Sequence, residues 1–317
     1  MQMTQYITKR LLSSIPVLII ISILIFAGVR VIPGDVCRIV LQSPEVDPEQ
    51  CELLYHRLGF DRPAIEQYFT WIGDVLTGDF GTSIISQRGV WDQIQGRLNV
   101  TIELAVLSIL FSVIAGLPAG VYSALHQDKF GDYALRIFTI GWLSMPSFWV
   151  ATLLVTFPAK WWGYAPPVAY ESLFENPLAN LEKLLLPAFS LSLALAGSLA
   201  RITRSAMLEI MRQDYVRTAR AKGLSERLVL SRHALKNAML PVITLLGLQL
   251  GTLLGGTVVL ESIYALPGLG TLLLSSVTLK DFPQVQGIVL FFAIVVVMLN
   301  LIVDLSYGWF DPRVRYS

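Results

Sequence analysis

The sequence predicts an all-α membrane protein with six transmembrane helices and a partly helical segment outside the membrane between the first two. Three observations carry that prediction. The chain is 54% hydrophobic and only 15% charged over 317 residues, whereas soluble domains carry nearer a quarter charged. Its apolar residues gather into runs of the length a helix needs to cross a bilayer, about 20 residues. Its basic residues cluster beside those runs on one side of the membrane.

The first run, Leu11 to about Val31, follows Lys9-Arg10. It has the positive flank of a signal peptide. Its apolar core is too long for one and no small-x-small cleavage site follows, so it reads as an uncleaved first helix. Residues 33–99 form a polar excursion rich in Asp and Glu. Within it, Asp47-Pro48-Glu49-Gln50 supplies an N-cap, a proline at the first helical position and a capping-box Gln. That predicts a helix to Leu58 which stops at Gly59. Pro63 opens a second helix ending near Gly78, with Ile65, Phe69, Ile72 and Leu76 at helical spacing. Cys37 and Cys51, the two cysteines, also lie here. A disulfide and a pair of free thiols are both open. The three histidines, His56, His126 and His233, are far apart, so no zinc-ligand spacing exists and no metal site is expected.

Further spans are predicted at about 101–123, 136–158, 184–201, 239–261 and 284–306. The chain then divides into a tail and first helix (1–32), an external segment (33–99), a five-helix core (100–306) with a cytoplasmic loop at 202–238, and a tail (307–317). Lys9, Arg10, Lys129, Arg136, the series from Arg201 to Lys236, Arg313 and Arg315 share one side. The opposite short loops hold Lys160, Lys183 and Lys280. The positive-inside rule makes the richer side, and both termini, cytoplasmic. Trp161, Trp162 and Tyr164 read as interfacial aromatics. A net charge of +1 gives no sign of a nucleic-acid partner.

Within the spans, Gly247, Gly251 and Gly255 recur every fourth residue, the spacing that lets a second helix approach closely. They mark either packing within the chain or a helix lining a pathway. Gln249 lies in the same run and needs a polar partner or a wet cavity. Gly116 and Gly120 are a weaker instance of the spacing. Pro146 and Pro187 are expected to kink their spans. Glu103, Glu261 and Asp304 fall near span ends, where a carboxylate is cheap to keep and poorly placed for a proton relay.

One stretch, Arg212 to Pro241, is too charged for hydrocarbon and must lie in water. It reads as two short helices at a bend. Asp214 is expected to cap the first. Thr218, Ala219 and Ala221 are small enough for a partner to approach. Gly223 fits a left-handed stop with apolar Leu224 beyond it. Ser225 starts the second helix, and Pro241 begins the next span.

The wording of this stretch, Tyr215-Val216-Arg217-Thr218-Ala219-Arg220-Ala221-Lys222-Gly223-Leu224 followed by Arg232-His233-Ala234-Leu235-Lys236-Asn237-Ala238, resembles the coupling loop of ATP-binding-cassette (ABC) importer permeases, and more narrowly their peptide and nickel branch. Leu58-Gly59-Phe60-Asp61-Arg62-Pro63, Gln67-Tyr68 and Gly78-Asp79-Phe80-Gly81-Thr82-Ser83 resemble the partner type with a large loop after its first helix, and Leu266-Pro267-Gly268-Leu269-Gly270 again resembles the permease family. The resemblance implies the type I importer permease fold in the cell (inner) membrane. It implies a homologous second permease, two ATP-binding subunits that hold ATP and Mg, and an external solute-binding protein. It also implies that the loop docks into a cleft on an ATPase subunit. Tyr215, Thr218, Ala219 and Gly223 would form the docked surface, and Arg217, Arg220 and Lys222 would pair with acidic groups on its rim. The general permease motif opens Glu-Ala-Ala, three residues, then Gly. Here Arg217 and Thr218 stand in place of the first two, so its acidic contact does not carry over, and Leu240-Pro241 closes it late.

The chain has no Gly-x-x-x-x-Gly-Lys-[Ser/Thr] loop, so its energy must come from elsewhere. It also lacks His-Glu-x-x-His and Gly-x-Ser-x-Gly, and no catalytic residue is expected. The competing reading is an ion-driven secondary transporter. That would need repeated halves around a midplane ion site, and no repeat relates residues 1–158 to 159–317.

Overall fold

The structure, a computed structural model, describes residues 3–31, 37 and 47–310. Arg313, Arg315 and the side chain of Asp304 lie outside the described residues. Among the described residues the fold is helical, with an isolated bridge between Thr82 and Gly89. Helix α1 (Met3–Val31) precedes two short helices, α2 (Pro48–Leu58) and α3 (Ala64–Leu76). Long helices α4 (Val90–Leu125) and α7 (Pro177–Met211) flank the pair α5 (Phe130–Ser144) and α6 (Ser147–Trp162). The polar stretch folds as α8 (Asp214–Ala221) and α9 (Glu226–Leu228). The latter runs through a π-helical turn (Val229–Leu235) into α10 (Lys236–Ile263). Helices α11 (Leu269–Thr278) and α12 (Phe282–Phe310) close the order.

Among the described residues five helices are long and apolar enough to span a bilayer, and a sixth span results if the bent pair α5–α6 is counted as one. The expected span 136–158 is not one rod: its halves meet at 94°. Met145 is extended (φ −90°, ψ 122°) and Pro146 caps α6. A residue before proline is pushed out of the helical region, and proline has no N–H to continue the ladder. Pro187 sits inside α7 without ending it.

The outer segment follows its local signals. Asp47 accepts the Glu49 N–H at 3.1 Å with Pro48 at the first helical position, and Gly59 ends α2 at φ 70°. Cys37 and Cys51 are joined in a disulfide. Helix α3 stops at Leu76, two residues before the glycine expected to end it. The loop after α3 is fastened to the start of α12, where Asp281 accepts from Ser83 Oγ (2.5 Å) and the Ile84 N–H (3.1 Å).

The tightest joint is α4 against α7. A Cβ on Gly116 would stand 2.7 Å from the Ala196 carbonyl oxygen, and one on Gly120 2.6 Å from that of Ala200. Toward the α3 end of the bundle, Leu104, Leu184, Ala188, Leu260 and Tyr264 form a buried core. Toward the α8 end, Ala124, Ala206, Met207, Ala234 and Ala238 do the same.

Two side chains lie deeper than their sequence position suggested. Glu261 is fully buried. Its carboxylate accepts from Thr101 Oγ1 (2.9 Å) and the Thr271 N–H (3.0 Å), holding the first turn of α11. That helix is a short apolar element where a plain connection was expected. Lys183, expected in an outer loop, is buried and donates to the carbonyls of Pro167 (2.6 Å) and Tyr264 (2.7 Å). Both are buried with hydrogen-bond partners for the charged head, on helices α4 and α11 for Glu261 and on loop carbonyls for Lys183, the condition for burying one. Glu103 accepts from Tyr170 Oη (2.9 Å) and Asn180 Nδ2 (2.7 Å). Burial and that carboxylate hold the Tyr170 phenol well above its usual range.

Candidate functional site

The polar stretch forms a compact bracket at one end of the bundle. Two residues separate the end of α7 from the start of α8. Gln213, not Asp214, holds its cap position, and no side-chain bond closes the cap. Asp214 is the first helical residue, still at the positive end of the helix, and pairs with Arg217 at 3.5 Å.

The bend itself is built as the sequence implied. Gly223 is left-handed (φ 77°). Its N–H donates to the Arg220 carbonyl at 2.9 Å, and the Leu224 N–H reaches back to Ala219 at 3.3 Å. These are the paired bonds that satisfy a helix's last carbonyls when a glycine follows it. Leu224 packs with Val216, Ala219 and Val229 in a small core of the bracket's own.

That core divides the expected docking residues. Ala219 is only 6% exposed, so it does not belong to the surface as expected. Its small side chain lets α8 approach the π turn at Val229. Tyr215, at 42%, is exposed, as are Arg217, Thr218, Lys222 and Gly223. Asn237 Nδ2 donates to the Tyr215 hydroxyl at 3.0 Å, fixing the ring against α10. Arg220 is not left for an external partner. Its guanidinium grips Glu226 through Nη2 (2.6 Å) and Nε (3.1 Å), a two-point clamp across the bend.

The second arm of the bracket departs from expectation. Pro241 does not begin a span but lies inside α10. From Glu226 the chain is helical without interruption to Ile263, the π turn being its irregular section. Such turns insert a residue into the ladder and favour functional sites.

Helix α10 also carries the glycine series, and its members have different surroundings. A Cβ on Gly247 would collide with Val303 of α12. One on Gly251 would meet Val296 at an ordinary 3.5 Å, and one on Gly255 nothing within 4 Å. Leu248, Thr252, Gly255, Gly256 and Val259 form an exposed face on the outer part of the helix. Gln249 donates to Ser198 Oγ at 2.8 Å, while its carbonyl oxygen is buried with no protein partner.

One buried group was missed entirely. Asp132 of α5, with no exposed surface, accepts from Arg204 of α7 through Nε (2.8 Å) and Nη2 (2.7 Å). Ser123 of α4 and the Asp128 N–H (3.0 Å) complete its shell. The pair ties three helices together beside the bracket. In the sequence Arg204 was one basic residue in a series, and Asp132 lies 72 positions away.

A bundle of bilayer-length helices carrying a polar bracket at one end defines an integral membrane protein. The chain belongs to the family of binding-protein-dependent transport system inner membrane components, whose model matches residues 116–316. The N-terminal model of that system's membrane component matches residues 3–105. The glutathione transport system permease protein GsiC of Escherichia coli strain K12 is 38% identical over 315 residues, which cover 99% of this chain and all of that protein. The same protein of Shigella flexneri serotype 5b matches equally. Among solved structures, the inward-facing MetNI methionine ABC transporter aligns with a TM-score of 0.54 at 17% identity, over 69% of this chain and 96% of that one. An amino acid ABC transporter solved with histidines gives 0.52 at 16%, over 68% and 92%. The fold is thus that of ABC importer permeases, and the chain is a permease subunit whose ATP hydrolysis lies with separate subunits. Nothing in these likenesses supports the ion-driven reading.

Proposed function

We propose that this permease imports a small peptide, and that the bracket couples it to an ATPase subunit. The observation that carries the coupling role is the exposed face of α8. Tyr215, Thr218, Lys222 and Gly223 share it, and it is held rigid by the Gly223 turn, the Arg220–Glu226 clamp and the Val216–Ala219–Val229 core. A docking surface gains from such preorganisation, because less order must be imposed on binding. ATP and Mg belong to the partner subunits. In this chain Tyr215 and Thr218 meet the cleft, while Arg217 and Lys222 supply positive charge at its edge.

By the positive-inside rule, the basic residues around the bracket support a cytoplasmic position for it and for both termini. The exposed face of α10 at Leu248, Thr252, Gly255 and Val259 lines the pathway or meets the second permease. The external binding protein hands over the solute at the opposite end. For the solute, a glutathione-sized peptide is favoured by the glutathione transport system permeases that align along the whole chain.

Gly223→Asp tests the coupling claim. A Cβ there meets nothing within 4 Å, and Asp tolerates the left-handed region better than most residues. The fold should therefore survive while negative bulk enters the docking face. The expected outcome is normal membrane level and ATP hydrolysis no longer stimulated by solute, with uptake lost. Normal uptake by this variant would sink the coupling role.

A further inference from the structure

Helix α3 has three faces, and the chain itself accounts for one. Tyr68 and Trp71 face α1. The Tyr68 hydroxyl lies 2.8 Å from Ser22 Oγ, and the two rings pack on Phe26 at centroid distances of 5.3 and 6.0 Å. A second face is polar and exposed, formed by Glu66, Thr70 and Asp74. The third is apolar. Ile65, Phe69 and Leu76 are 74, 67 and 83% exposed, with half-buried Ile72 between them. Their spacing puts them on one stripe.

The depth of the α1 contact says what covers that stripe. Ser22 lies nine residues before Val31, where α1 ends, or about 13 Å along the helix axis at 1.5 Å per residue. The hydrocarbon core is about 30 Å thick in all. The residues that bind α3 are therefore inside the stretch Thr8–Val31 that crosses the membrane. Beside them Ile19, Ile20, Ile23 and Leu24 of α1 are exposed, as lipid-facing residues are. Arg30 marks the water edge. It folds over the Phe26 ring and donates to the Phe26 carbonyl and to Gln67 of α3, a cation reaching from an apolar stem to the surface.

We propose that α3 lies in the leaflet away from the bracket as an amphipathic interfacial helix, with Ile65, Phe69 and Leu76 against lipid acyl chains. The stripe continues the lipid-facing surface of α1. The Glu66–Thr70–Asp74 face looks to the headgroups and water. At 13 residues the helix is too short to span, and its one polar side suits the boundary between the two phases. The segment after the first span thus reaches back into the bilayer instead of standing wholly outside it. The inference does not depend on the solute or on the coupling role of α8.

Nitroxide labels at Phe69, Leu76 and Thr70, each on a single added cysteine in the full-length chain reconstituted with its partner subunits in phosphatidylethanolamine–phosphatidylglycerol vesicles, test it. Labels at Phe69 and Leu76 should collide with oxygen several-fold more, and with a water-soluble nickel chelate several-fold less, than the label at Thr70. A photoreactive benzoylphenylalanine at Phe69 gives a second reading that leaves the Cys37–Cys51 pairing untouched. It should form a phospholipid adduct. Nickel access at Phe69 equal to that at Thr70 would overturn the proposal in favour of a helix in water. Shielding from both probes, or an adduct with a second polypeptide, would overturn it in favour of a protein partner.

Discussion

Two glycine series of identical spacing behave differently in this molecule. Gly116 and Gly120 bring the backbone of α4 onto that of α7, with carbonyl oxygens where a Cβ would sit. Gly247, Gly251 and Gly255 begin tight against α12 and end in open space. The first is a weld, the second a wedge. The sequence ranked them the other way round, because the second series is longer. Spacing says that something can approach. It does not say whether that something is a neighbouring backbone, a side chain or a ligand.

Three substitutions sharpen the contrast. The largest effect belongs beside the weld. Arg204→Leu leaves Asp132 buried without its cation, and breaking a buried pair this way typically costs about 3–5 kcal/mol. We expect most of the protein to be lost from the membrane fraction, and Asp132→Leu in the same chain to restore a substantial part. Gly120→Leu comes next. Its Cβ meets the Ala200 oxygen and the Thr203 side chain at 2.6 Å, and overpacking of this sort costs about 1–3 kcal/mol or more. Thermal unfolding in detergent should shift down clearly, with solute-stimulated ATPase falling alongside it. Gly255→Ala is the smallest in stability terms. Nothing lies within 4 Å of its Cβ, so the unfolding temperature should not fall. Uptake should change through the apparent KM for solute if this face lines the pathway. A drop in unfolding temperature equal to that of Gly120→Leu would erase the distinction between the two series.

What could be read in advance was local. Gly223 and the Asp47-Pro48 start declare their backbone geometry in adjacent residues, and both elements form as expected. Pro146 declared a disturbance, but whether it kinks or breaks depends on what α5 and α6 pack against. The spans were legible because a bilayer demands a fixed length of apolar helix. Burial within the bracket was not. Ala219 looked like a surface residue until Val229, ten positions on, came to rest against it. The Arg220–Glu226 clamp, the Asp132–Arg204 pair and the Ser22–Tyr68 contact share that character. In each case the role of the side chain was set by a partner that only the fold brings near.

The unbroken second arm of the bracket has a mechanical consequence. Helix α10 has no hinge loop between the polar end and Val259. From Leu235, at the close of the π turn, to Val259 is 24 residues, a rod of about 36 Å. A tilt of about 5° at the π turn moves the far end by about 3 Å on that length. The leverage is geometric and needs no unfolding along the way. A small tilt at the polar end is thereby carried along the rod to the level of Gly255 and Val259.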